Sequence, residues 1–230
     1  WDERTPEIFA DPEWTWAGMQ KLVQAKNMSR FHQLFDEPYD RIPYPTKLPG
    51  GRLVIERQGG GAVREFALDM RHGEAVARYA TDSVQAVVLA HRPVMLLRIP
   101  GAVTVRFEPS AGVTKLGYTA ATVTSDSYLQ EGALGLKYGA VVRQQLRGDT
   151  TLLAVTLATS SEGADPLAIG RARADLALRE GWRTAVTVHR AWWKRHWAVS
   201  GVTLPDAALQ RHYDLVHYFY GAAGRRGAPP

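Results

Sequence analysis

Val84-Gln85-Ala86-Val87-Val88-Leu89-Ala90, then Arg92-Pro93, then Val94-Met95-Leu96-Leu97-Arg98-Ile99, then Pro100-Gly101, then Val103-Thr104-Val105-Arg106-Phe107 is the stretch that decides the fold. Three short runs rich in β-branched and aliphatic residues are cut apart by Arg-Pro and Pro-Gly, which are turn chemistry. Runs this short suit strands rather than helices. The same grammar extends outward. On the N-terminal side stand Leu53-Val54-Ile55, the Gly59-Gly60-Gly61 turn, a strand holding Val63, Phe66, Leu68 and Met70, the His72-Gly73 turn, and a strand over 76–79. On the C-terminal side strands are expected over 116–123, 128–129, 141–146 and 152–158. No helical period interrupts this region. That excludes a parallel βαβ sheet and predicts a mainly β fold, an antiparallel two-sheet sandwich over residues 51–160.

The flanks read differently. Residues 11–27 carry Trp16, Met19, Leu22 and Val23 at helical spacing, with Asp11 as expected N-cap, Pro12 at the helix opening and Glu13 in the first turn. Ser29 is the expected cap of a second short helix with Phe31, Leu34 and Phe35. Pro38, Pro43, Pro45 and Pro49 make an extended connection, so residues 1–50 form a helical and proline-rich lead-in to the sandwich. Beyond Thr159-Ser160-Ser161 the period changes to that of a helix. A helix over 166–178 is capped by Asp165 and stops near Gly181. Two further helices, 182–197 and 206–223, are crowded with rings: Trp182, Trp192-Trp193, His196-Trp197, His212-Tyr213 and Tyr218-Phe219-Tyr220. Large rings need a surface to cover them. Residues 161–230 therefore read as a helical linker, running through Gly224-Arg225-Arg226-Gly227 to Pro229-Pro230 and toward a domain not contained in the chain. Trp192, Trp193, Trp197, Tyr213 and Tyr220 are the rings expected to pack between domains.

Composition narrows the function. Among 230 residues, 45% are hydrophobic and 22% charged, a profile that buries a core rather than staying disordered. The net charge of +5 is spread among acids without a like-charge run, so a nucleic-acid partner is not expected. There is no cysteine, which removes disulfides and thiolate metal sites but fixes no compartment. No apolar stretch is long enough for a transmembrane span.

Each chemical motif has a plainer reading beside it. His189 and His196 are seven apart and His212 and His217 five apart, whereas helical metal pairs share a face at three or four, so packing roles are expected and no metal or other cofactor. Glu65 and Asp69 share one face of a strand and have the makings of an acid–base pair for sugar hydrolysis, but Arg64 and Arg71 beside them suit a solvated, charge-balanced face. Gly59-Gly60-Gly61 lacks the Gly-Lys-Ser/Thr ending of a phosphate loop. Arg147-Gly148-Asp149 is turn chemistry between two strands. Trp14, Trp16, Trp182, Trp192, Trp193 and Trp197 include candidates for stacking on sugar rings, with core or interdomain packing expected for most.

The motif order carries one further signal. Arg64-Glu65-Phe66-Ala67-Leu68-Asp69-Met70, then residues 74–81, then 84–91 resembles the N-terminal super-sandwich of glycoside hydrolase family 95, the inverting α-L-fucosidase and α-L-galactosidase group. The helix carrying Met19-Gln20-Lys21-Leu22-Val23 and the strand Gly51-Arg52-Leu53-Val54-Ile55 are similar to the family's opening. His189-Arg190-Ala191-Trp192-Trp193, His196-Trp197, Tyr218-Phe219-Tyr220 and Arg225-Arg226-Gly227-Ala228-Pro229-Pro230 look like its linker. The resemblance implies a bacterial enzyme that cleaves oligo- or polysaccharides with inversion; a periplasmic or secreted location is compatible with it but not shown by the sequence. It also implies that the chain's partner is its own (α/α)6 catalytic barrel. In that family the catalytic carboxylates come from the barrel, so no catalytic residue is expected in this chain. A carbohydrate-binding module and the same domain of a disaccharide phosphorylase are the alternatives.

Overall fold

The computed structural model describes residues 4–38, 46–59 and 61–224. Pro43, Pro45, Gly60 and the run Arg225-Arg226-Gly227-Ala228-Pro229-Pro230, all used in the sequence reading, lie outside them.

The described chain is mainly β, with two antiparallel sheets and a helical part. β1 (Arg52–Arg57) and β6 (Val103–Glu108) form a two-stranded sheet in which Leu53 faces Phe107 and Ile55 faces Val105. The larger sheet has eight strands: β2 (Glu65–Asp69), β3 (Glu74–Arg78), β4 (Ser83–Val88), β5 (Val94–Pro100), β10 (Thr150–Thr159), β9 (Lys137–Arg147), β8 (Ser127–Glu131) and β7 (Thr122–Val123), in that spatial order. Every pairing between these strands is antiparallel, and one isolated parallel bridge joins Gly101 to Thr150. β10 joins the two halves, with β5 on one side and β9 on the other.

The central strands are buried on both faces, which explains their near-continuous apolar runs. On β10, Leu153 points into a core shared with Leu53, Ile55, Val105 and Phe107 of the small sheet. Its neighbours Leu152 and Ala154 point the other way, into a core with Val87, Leu89, Val94 and Leu96 that is closed by a long helix. The period of two thus divides one strand between two cores. Tyr128 is fully buried in the first core beside Phe107 and Tyr138.

That covering helix is the central element of the helical part. Among the described residues, the shorter α-helices α1 (Trp16–Gln24), α2 (Met28–Phe35) and α3 (Ala111–Lys115) precede it in the chain. The long helix, α4 (Pro166–Val199), starts as the sequence predicts, with Asp165 Oδ1 accepting from the Ala168 N–H at 3.0 Å and Pro166 in the first turn. Gly181 takes φ 75° and ψ 167°, so the helix breaks there and resumes at a new angle. Ala174, Ala177, Leu178, Ala185 and Val186 form the stripe laid on the sheet. α5 (Ala207–Ala223) follows, capped by Asp206, whose Oδ1 accepts from the Ala208 and Leu209 N–H groups.

Several expectations are corrected. Asp11 does not cap α1: it accepts from the Glu13 N–H at 2.9 Å and holds Arg30 at 2.6 Å, and Thr15 is the cap instead, accepting from the Gly18 N–H at 3.0 Å. Asn27, not Ser29, caps α2. The strand expected over 116–123 shrinks to Thr122–Val123, because the Leu116, Gly117 and Tyr118 N–H groups close α3 by donating to the Gly112, Thr114 and Val113 carbonyls. The β9 strand begins earlier than expected, at Lys137.

Candidate functional site: an aromatic seam and an open helix face

His189 anchors the second half of α4. It is buried, and both ring nitrogens are used. The Ala90 N–H donates to Nδ1 at 3.1 Å, and Nε2 donates to the Gly73 carbonyl at 3.2 Å, since a carbonyl only accepts. This fixes a neutral imidazole bridging two turns of the large sheet. Burial pushes its pKa down, against smaller opposing contributions from the backbone of Gly73 and His72.

One turn on, Trp193 is only 2% exposed. Its indole stands edge-on to His189 and to Trp192 and stacks on Tyr218 of α5, with centroids 5.1 Å apart and planes 19° apart. The β2–β3 turn lets it in: Gly73 has φ +64°, and a Cβ there would be driven into the Trp193 ring. His196 stacks on Trp192 at 5.3 Å and lies over Gly221 of α5, where a Cβ would come within 2.5 Å of Nε2. Trp197 and Tyr213 both pack edge-on to His217, with Trp197 at 4.7 Å. The Nε1–H groups of Trp193 and Trp197 and the Nδ1 of His217 are buried without a partner among the described residues. Ring packing, more than hydrogen bonding, therefore holds α5 to α4.

The rings singled out from sequence thus fall in three places. Trp193 is enclosed by this chain's own atoms. Trp192, Trp197 and Tyr213 are half-buried along the seam. Tyr220 is 74% exposed. It belongs to an open stripe on α5 with Leu209, Val216 and Phe219, whose spacing of seven, three and one keeps them on one helical face. Sequence reasoning missed Phe219 as a member of this stripe. It also missed Gly73 and Gly221 as the points where rings enter; Gly221, directly after Tyr218-Phe219-Tyr220, is the signal that was there to be read.

The carboxylates do not form a hydrolytic pair. Glu65 is taken by Arg78 at 2.7 Å and Asp69 by His72 at 2.6 Å, so the charge-balanced strand face is real, with partners other than Arg64 and Arg71. Asp82, Glu108, Asp126, Glu162 and Glu180 are each held below the usual carboxylate range, chiefly by a hydrogen-bonded guanidinium: Arg57, Arg52, Arg171, Arg173 and Arg92 in turn. A general acid needs the opposite shift. Among the described residues no three His, Asp or Glu gather as a metal site, and no helix is long and apolar enough to cross a membrane. The Arg147-Gly148-Asp149 motif is the β9–β10 turn, with Gly148 at φ 59°.

No protein-family model matches the chain, and no curated protein matches it. Among solved structures it is similar to a chain described as "Putative kojibiose phosphorylase from human microbiome", with 14% identity and a TM-score of 0.46 over 68% of this chain and 26% of that one. This chain thus spans about a quarter of the length of that structure.

Proposed function

We propose that the chain is the non-catalytic sandwich and helical linker of a carbohydrate-active enzyme, and that α5 presents its open stripe to an (α/α)6 catalytic domain. The observation that carries this reading is the split character of α5. One side is locked to α4 through Trp193, His196 and Gly221, while Leu209, Val216, Phe219 and Tyr220 stay uncovered. Apolar stripes of this kind mark interaction surfaces. The motif order that resembles glycoside hydrolase family 95 suggests the chemistry of the partner. In that chemistry one carboxyl group protonates the leaving oxygen and a second activates water on the opposite face of the sugar.

The role of these residues is then mechanical. The long helix, pinned by His189 and Trp193, fixes α5 relative to the sandwich, and α5 fixes the barrel. The test reads the gene beyond the Pro230 codon and assays the complete product on α-L-fucosides and related glycosides. Sugar release without added phosphate is the expected result. Release only with phosphate would make the parent a phosphorylase, and a reading frame without a following helical domain would overturn the proposal.

A further inference from the structure

Next to the seam, the end of β2 with the β2–β3 turn and the last turns of α4, joined in the second case by Asp214 of α5, line two grooves that share Arg71 and Trp197. The first, about 600 Å³, is lined by Arg71, His72, Arg190, Lys194 and Trp197 with two alanines, and by no carboxylate. The second, about 470 Å³, adds Asp69 and Asp214 to Arg71 and Trp197. Several of these charges are already engaged. Arg190 is held by Glu74 at 2.8 Å, His72 by Asp69 at 2.6 Å, and Asp214 accepts from Gln210 at 2.9 Å. Arg71 and Lys194 are exposed and have no ion pair or side-chain hydrogen bond among the described residues.

Two unspent cations over a carboxylate-free groove draw an anion. Trp197, between the grooves, offers the aromatic wall against which the apolar C–H face of a sugar packs. Asp69 and Asp214 beyond it are acceptors for hydroxyl protons. We infer that the paired grooves bind a short acidic saccharide, its carboxylate between Arg71 and Lys194 and the hydroxyls of its neighbouring sugar against Asp69 and Asp214. This site rests on the carbohydrate reading for its ligand class, but not on any catalytic domain for its binding.

The experiment is calorimetric titration of the 230-residue chain with three probes: a 4-linked digalacturonate, the neutral digalactose of the same linkage, and inorganic phosphate. Digalacturonate is expected to bind, and digalactose about tenfold more weakly or less, the loss of one charge-assisted contact. Phosphate is expected to show no saturable heat. Arg71→Ala and Lys194→Ala should each weaken digalacturonate binding about tenfold, while Arg179→Ala, outside these grooves, should not. Near-UV circular dichroism confirms that each variant is folded. Equal binding of the neutral sugar, binding of phosphate as tight as that of the saccharide, unchanged affinity in both alanine variants, or no binding at all overturns the inference. Saccharide binding by a chain whose gene encodes no catalytic continuation would leave this inference standing while removing the proposed function.

Discussion

Helices α4 and α5 are made of the same kinds of residue and end in opposite situations. α4 buries nine residues, from Pro166 to Trp193, against the large sheet and its turns. α5 buries only Gly221, although His212, Tyr213, His217, Tyr218, Phe219 and Tyr220 make it denser in rings. The difference comes from what each helix meets. α4 has the eight-stranded sheet beneath it, where apolar stripes interlock. α5 meets chiefly the rim of α4, with Asp214 near the β2–β3 turn, so one face is used and the other is open. Ring content therefore does not locate a core; the opposing surface does.

The comparison breaks most sharply at Trp193, the buried ring that stacks on Tyr218 of α5 while it fills the space beside Gly73. Trp193→Ala removes the surface on which Tyr218 stacks and leaves a cavity beside Gly73, at an expected cost of about 4 kcal/mol. Urea unfolding of the two chains measures it. A loss below about 1 kcal/mol would mean that the seam contributes little. Gly221→Ala separates the helices more selectively. Its Cβ would meet His196 at 2.5 Å, so α5 should lift at a cost of about 2 kcal/mol while α4 keeps its sheet contacts. Hydrogen exchange should rise across 207–223 and stay unchanged across 166–180; a uniform rise would refute the division between the helices.

A pH titration tests how α4 is pinned. His189 is neutral in the fold, with its pKa lowered by burial from the usual 6.5. Above that value both folded and unfolded states are unprotonated, and the contribution of His189 is complete. As pH falls below 6.5 the unfolded chain takes up a proton that the folded chain resists, and stability drops toward the lower folded pKa. His91 is shifted in the same direction by burial, so His189→Gln should reduce the acid-side slope of melting temperature against pH without abolishing it. An unchanged slope would contradict the neutral, doubly bonded ring. The smallest effect is expected on the open side. Phe219→Ser with Tyr220→Ser should alter the stability of this chain by no more than about 0.5 kcal/mol, because neither ring is enclosed.

Much of the fold was legible in local chemistry. The apolar runs at Val84, Val94, Val103 and Leu152 all became strands, and Asp165-Pro166 began a helix, because turn residues and caps act over a few positions. The unequal sheets were not legible. The β9–β10 hairpin follows from its turn, but placing β5 on the other side of β10 depends on a pairing far apart in the chain, and the strand period says only that Leu153 and Leu152 face opposite ways. The same limit governed the seam. Trp193 and Tyr220 look alike in sequence, and the distant Gly73 turn together with Tyr218 decides that one is enclosed. Asp11 shows the local version of this failure. A residue suited to capping was engaged instead by Arg30, and Thr15 took the role.

The most direct test compares hydrogen exchange of residues 207–223 in the 230-residue chain with exchange of the same peptide in the complete gene product. Strong added protection of α5 in the complete product, with 166–199 unchanged, is the predicted result. Equal exchange in both would show that the open stripe meets no partner domain, and the proposed role of this chain would fail.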